Sequence, residues 1–188
     1  MAEVVLFHHA QGLTPGVVSF AHALRAAGHV VHIPDLYDGA TFDDLDAGVG
    51  HAKAIGFDTV LERGVAAAQG YPDDVVYAGF SLGVMPAQML AQTRPAARGA
   101  LLMHGTFPLG EFGEQWPAGL PLQIHVMADD DWGDVDVARE LAAAADGAEL
   151  FLYPGDAHLF TDESLPAFDA GAAALVRQRV LGFLARLG

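Results

Sequence analysis

Apolar residues in this chain come in short dense runs, separated by longer stretches in which they recur every three or four positions. The runs Val4 to His8, His29 to Ile33, Val75 to Phe80, Gly99 to His104, Leu122 to Ala128 and Ala148 to Tyr153 have the length and composition of strands. Between them, Pro15 to Ala27, roughly Ala52 to Gln69, Val84 to Leu90, Val135 to Ala145 and about Phe168 to Leu187 carry helical spacing. Gly56 and Gly64 interrupt the second of these helices, and the segment before it, Tyr37 to Gly50, is rich in Asp and Gly and reads as a loop. The strands are apolar at nearly every position, which is the pattern of strands covered on both faces. Alternation with helices therefore predicts an α/β protein with a six-stranded, mainly parallel, doubly wound sheet. In such a sheet ligands gather beyond the carboxyl ends of the strands.

Composition narrows this picture. At 188 residues and 52% hydrophobic content, residues 1–188 fit a single domain with a substantial core. No run has the length of a membrane span, and Glu3 stands where a signal segment would be basic, so a cytoplasmic protein is expected. The net charge of -15 argues against partners that are themselves anionic, nucleic acid and membrane surfaces alike. With no cysteine, thiolate nucleophiles and thiolate metal sites are excluded.

Against this frame one stretch carries chemistry. Gly79-Phe80-Ser81-Leu82-Gly83 closes the third strand run and opens a helix, the setting of a nucleophile elbow in which a sharp turn lifts a serine above the sheet edge. A serine that merely capped the helix would not call for flanking glycines. Serine needs a base, and the base needs a partner that holds its tautomer. His158 follows the sixth strand and Asp129-Asp130-Asp131 follows the fifth, giving the nucleophile, acid, histidine order of α/β-hydrolases. Asp130, two residues past the strand, is the preferred acid. Asp129 and Asp131 remain alternatives, because an Asp triplet also suits a solvated turn. The backbone N–H groups of Leu82, after the nucleophile, and of Ala10, in the first loop, fit an oxyanion hole.

Nine histidines raise the question of a metal, and His8, His9, His104, Asp130 and His158 all fall at the sheet's carboxyl edge. No closely spaced ligand motif accompanies them, so neither a metal nor another cofactor is expected. His9, Gln11, Phe80, Phe107, Trp132 and Phe160, with Trp116 in the loop Gly105 to Gly119, are candidates for a substrate pocket.

With these residues in view, the chain resembles the dienelactone hydrolase family. The likeness rests on Val5-Leu6-Phe7-His8-His9-Ala10-Gln11-Gly12-Leu13, Ile33-Pro34-Asp35-Leu36-Tyr37, the elbow, and Tyr153-Pro154-Gly155-Asp156-Ala157-His158-Leu159-Phe160. It implies a reduced α/β-hydrolase fold of six strands, ordered 2-1-3-4-5-6, in which an amino-terminal hairpin is missing. It also implies a Ser81, His158, Asp130 triad and an oxyanion hole from Ala10 and Leu82. The chain departs from family members named for dienelactone. They carry a cysteine nucleophile and a glutamate in the first loop, where this chain has Ser81 and His9. They also carry an arginine shortly after the histidine, where this chain reads Leu159-Phe160-Thr161-Asp162-Glu163. The expectation is a serine esterase acting on a small ester or lactone, the alternative a hydrolase-fold protein that binds a ligand without catalysis.

Overall fold

Six strands form one sheet in the computed structural model, which describes residues 1–188. In chain order they are β1 (Glu3–Phe7), β2 (Val30–His32), β3 (Val76–Phe80), β4 (Gly99–Met103), β5 (Leu122–Met127) and β6 (Glu149–Tyr153). Their spatial order is β2-β1-β3-β4-β5-β6 and every pairing is parallel, so the sheet has the expected order and no antiparallel strand. The helices are α1 (Pro15–Ala26), α2 (Leu45–Ile55), α3 (Phe57–Ala68), α4 (Val84–Thr93), α5 (Val135–Ala144) and α6 (Ala170–Leu187). None is long and apolar enough to cross a membrane.

Side chains alternate across the pleat and divide the core in two. Val4, Leu6, Ala78, Phe80, Leu101 and Met103 face one side, where α1 and α6 pack with Val17, Phe20, Leu24, Val176, Val180 and Phe183. Val5, Phe7, Tyr77, Leu102, Ile124 and Val126 face the other, covered by α2 to α5. Both faces of the inner strands β1, β3, β4 and β5 are therefore dry, which is why these strands read as continuous apolar runs instead of alternating ones. Leu175, which shares the apolar composition of α6, lies outside its buried stripe of Val176, Val180, Phe183 and Leu184 and is 45% exposed.

The stretch from Tyr37 to Gln69 differs from expectation. Two helices stand where the spacing predicts one, and α2 begins within the Asp- and Gly-rich segment. Asp44 accepts a hydrogen bond from the Ala47 N–H and starts α2, while Gly56, at φ 91°, breaks the chain between α2 and α3. β2 is also shorter than the run His29 to Ile33.

Two helical glycines in this stretch have opposite surroundings. Gly64 in α3 abuts α4, and a Cβ on it would lie 2.5 Å from Pro86 Cβ and 2.9 Å from Pro86 Cγ, so its smallness sets how closely the helices approach. Gly50 in α2 is exposed, and a methyl group placed on its Cα would meet no atom within 4 Å. The two should respond oppositely to alanine. Gly50→Ala raises stability by up to ~1 kcal/mol through helix propensity, and Gly64→Ala lowers it by ~1–3 kcal/mol through overpacking. Urea unfolding midpoints measure both.

Candidate active site

Because all six strands run the same way, the loops after β1, β3, β4, β5 and β6 emerge at one edge. The elbow is held there by two close backbone approaches. A Cβ on Gly83 would lie 2.6 Å from the His8 carbonyl oxygen, and one on Gly79 would lie 2.6 Å from Val84 N. Glycine at both positions lets the first turn after β3 lie directly on the end of β1. Between them Ser81 adopts φ 48°, a left-handed conformation that costs a non-glycine residue of order 1–3 kcal/mol. His104, Asp134 and Leu159 also have positive φ, at 67°, 43° and 59°. With Asp38 in the loop after β2, at 54°, all five such residues sit in the loops at this edge, where packing of the surrounding core must offset their strain.

Ser81 Oγ lies 2.8 Å from His158 Nε2, and His158 Nδ1 lies 2.7 Å from Asp130 Oδ2. The other oxygen of Asp130 accepts a 2.9 Å bond from the Trp132 N–H. A carboxylate can only accept here, so the proton sits on His158 Nδ1 and leaves Nε2 with a lone pair toward the serine hydroxyl. Asp130 is 4% exposed, whereas Asp129 and Asp131 project into solvent, so one member of the Asp triplet meets the histidine.

The loop after β1 supplies Ala10. Its N–H donates to no group of the protein, and Ala10 lines one cavity with Ser81 and Leu82. Gly12, at φ 92°, turns the loop, and its N–H donates to the His9 carbonyl at 3.0 Å. His8 braces it from below. The Leu36 N–H donates to His8 Nε2 at 2.9 Å, so Nδ1 carries the proton and donates to the His9 carbonyl at 2.8 Å. Burial, partly offset by that carbonyl, lowers the His8 pKa to about 4.

Two cavities flank the Ser81–His158 pair. The first, about 320 Å³, is lined by Ala10, Ser81, Leu82, His104, Phe107 and Trp132, together with Leu45, Val49, Ala52 and Phe57 from α2 and α3. The second, about 500 Å³, lies on the His158 side and carries Asp43, Asp44, Asp129, Asp131 and Asp156 with Gln11 and Trp132. Trp132, 54% exposed and with its ring 6.2 Å from that of His158, is a wall common to both. Neither cavity is lined by Lys or Arg. The loop after β4 is fixed by the buried Gln88, whose side chain donates to the Phe107 carbonyl and accepts from the Phe107 N–H, each at 2.9 Å.

The pocket expectations are corrected in part. Gln11, Phe107 and Trp132 line these cavities, but His9, Phe80 and Phe160 line neither. Phe80 points from the end of β3 into the α1–α6 side of the core, Phe160 packs with Tyr153 and His104, and Trp116 is buried with its Nε1–H donating to the Leu120 carbonyl at 2.8 Å. His9 turns inward to Asp162, at 2.8 Å. Leu45 and Val49 of the first cavity fall in the segment that Asp and Gly give the composition of a loop. Leu45, Val49 and Ala52, spaced four and three apart behind Asp44, are the signal that could have found them.

No group of three or more His, Asp or Glu side chains comes together in a way that could hold a metal ion. His104 is wholly buried, its Nε2 2.7 Å from Thr161 Oγ1. Burial, with the nearby His158, His9 and His125, holds its pKa well below the ordinary 6.5, so it is neutral.

An all-parallel sheet with a strained serine after β3, an acid after β5 and a histidine after β6 has the architecture of the α/β-hydrolases. Comparison takes this further: the dienelactone hydrolase family model matches residues 1–188, and the chain belongs to that family of hydrolases. No curated protein matches the chain by sequence. Among solved structures, a dienelactone hydrolase-like promiscuous phosphotriesterase, P91, from metagenomic libraries is 19% identical, with TM-score 0.75 over 100% of this chain and 87% of its own. An alpha/beta superfamily protein from Xanthomonas campestris pv. campestris is 22% identical, with TM-score 0.71 over 100% of both chains. Esterase 2 of Thermogutta terrifontis, solved phosphorylated by paraoxon, is 21% identical, with TM-score 0.68 over 100% of this chain and 83% of its own.

The buried histidines give a pH prediction. Burial lowers the pKa of His8 to about 4 and of His125 to about 3, and that of His104 lies well below 6.5. Each folded-state pKa is below its unfolded value, so the unfolded chain takes up protons first as pH falls. The stability contributed by these neutral rings is complete above about pH 6.5 and is lost as pH falls toward 4 and then 3. Each uncompensated ring contributes up to ~1.4 kcal/mol per pH unit. Urea unfolding from about pH 7.5 to 4.5 should show this decline, with a shallower slope in His125→Phe.

Proposed function

We propose that the protein is a serine esterase that hydrolyses small esters or lactones through an acyl-enzyme. The observation that carries this reading is the continuous hydrogen-bonded line from Ser81 Oγ through both nitrogens of His158 to the buried Asp130 carboxylate. In this mechanism Ser81 attacks the carbonyl carbon as its proton passes to His158 Nε2. Asp130 keeps the ring in the Nδ1–H tautomer and stabilises the imidazolium that forms. The N–H groups of Ala10 and Leu82 receive the carbonyl oxygen as it becomes an oxyanion, and the start of α4 behind Leu82 adds its positive dipole end. His158 then gives its proton to the leaving alkoxide. A water, deprotonated by the same nitrogen, releases the acyl group and restores Ser81. Relatives that react with organophosphates, such as the Thermogutta esterase phosphorylated by paraoxon, support a nucleophile of this kind.

The cavities support a substrate class. The 320 Å³ cavity, walled by Leu45, Val49, Ala52, Phe57 and Phe107, suits a short acyl chain, while the aspartate-lined side faces the leaving group. With no cation in either cavity and five aspartates in one, a substrate carboxylate has no partner and meets repulsion. Neutral esters are the substrates expected.

Hydrolysis of p-nitrophenyl butyrate tests the reading. Ser81→Ala should lower kcat by ~10⁶-fold and Asp130→Asn by ~10⁴-fold, while Asp129→Asn and Asp131→Asn leave it essentially unchanged. Equal loss in all three aspartate variants, or wild-type activity no greater than that of Ser81→Ala, contradicts it. The hemisuccinate of p-nitrophenol should be a poorer substrate than the butyrate by ~10-fold or more in kcat/KM at low salt, and the gap should narrow as salt is added.

A further inference from the structure

A second histidine–aspartate pair lies beside the first. His9 Nε2 is 2.8 Å from Asp162 Oδ2, with His9 1% and Asp162 3% exposed. The Gln11 N–H donates to His9 Nδ1 at 3.2 Å, so the ring proton is on Nε2 and His9 donates to the carboxylate as a neutral ring. Thr14 Oγ1 donates to the same oxygen, and the Ser164 N–H and Oγ donate to Asp162 Oδ1 at 2.8 and 2.6 Å. Burial by itself would raise the pKa of Asp162, but the bonds from His9, Ser164 and Thr14 outweigh it and hold the group at about 2. A Cβ on Gly16 would collide with this carboxylate, so α1 too is shaped around it.

The pair joins two segments that the Ser81–His158–Asp130 line does not connect. His9 immediately precedes Ala10, and Asp162 lies four residues beyond His158 on the loop that carries it. The pair touches neither cavity, so neither residue meets substrate. Its product is geometry: the bonded carboxylate ties the loop 8–14, with the free N–H of Ala10, to the loop 158–164.

We propose that His9 and Asp162 are positioning residues that set the Ala10 N–H against the developing oxyanion and lock it in register with His158. The inference rests on the esterase reading above. It makes a different demand on the protein, since an oxyanion donor displaced by about 1 Å costs roughly 10²-fold in rate without loss of substrate binding.

Kinetics on p-nitrophenyl butyrate and backbone hydrogen exchange test it together, using wild type, His9→Leu, Asp162→Asn and the double variant. Each single variant should lower kcat by ~10- to 100-fold with KM within about twofold, and the double variant should be no slower than the slower single. His9→Gln, which keeps a side-chain N–H, should recover part of the loss. Amides of residues 8–14 should exchange at least ~10-fold faster in Asp162→Asn, with the elbow 79–90 unchanged. Additive losses, a loss carried by KM, or full kcat in a folded Asp162→Asn overturns the proposal, as does unchanged exchange in 8–14. Where the larger substitutions unfold, Thr14→Val removes one donor to the same carboxylate and should give a smaller loss confined to kcat. Absence of Ser81-dependent hydrolysis in the wild type strikes the esterase reading instead. The exchange measurement decides the coupling between the loops in either case.

Discussion

The structure at the sheet edge depends on one close approach, that of the backbone at Gly83 to the carbonyls of Phe7 and His8. It brings the first turn of the helix after β3 down onto the end of β1. That contact makes a left-handed Ser81 sustainable, because the strained residue is bracketed by segments packed too tightly to relax. It also places the loop that begins at His8 beside the turn that begins at Ser81, so Ala10 and Leu82, from distant parts of the chain, line one cavity. A side chain at Gly83 would push these segments apart and affect every later element of the site.

Around this contact the protein uses its charge asymmetrically. Asp130 and Asp162 are buried and hydrogen-bonded through both carboxylate oxygens. Others, Asp43, Asp44, Asp129, Asp131 and Asp156, line the cleft on the His158 side. The first group fixes tautomers and loop positions. The second makes the potential at the mouth negative.

What the sequence makes legible depends on range along the chain. Strand positions and their parallel arrangement are legible because burial on both faces leaves a local signature, seen in Val76 to Phe80 and Leu122 to Met127. The elbow is legible because the turn's steric demand falls on Gly79 and Gly83, two positions either side of the serine. Order along the chain then brings His158 and the Asp triplet to the same edge. Partnerships between loops are not legible. His9 pairs with Asp162 across 153 positions, and from sequence it looks like a pocket residue; Phe80 and Phe160 face the core because of strand pleat and loop path, which composition does not encode. The helix α2 is obscured by Gly48 and Gly50. Gly48 is there because a side chain would strike the Ala10 carbonyl, a tertiary requirement that depresses local helix propensity.

The central claim is that Ser81 is a nucleophile activated by His158, and covalent capture tests it most directly. Intact-mass and peptide analysis after treatment with a fluorophosphonate should find one adduct per chain, on Ser81. The adduct should be absent in Ser81→Ala and form far more slowly in a folded His158→Ala. No adduct on the folded wild-type protein, or one carried equally by Ser19 or Ser164, would contradict the account.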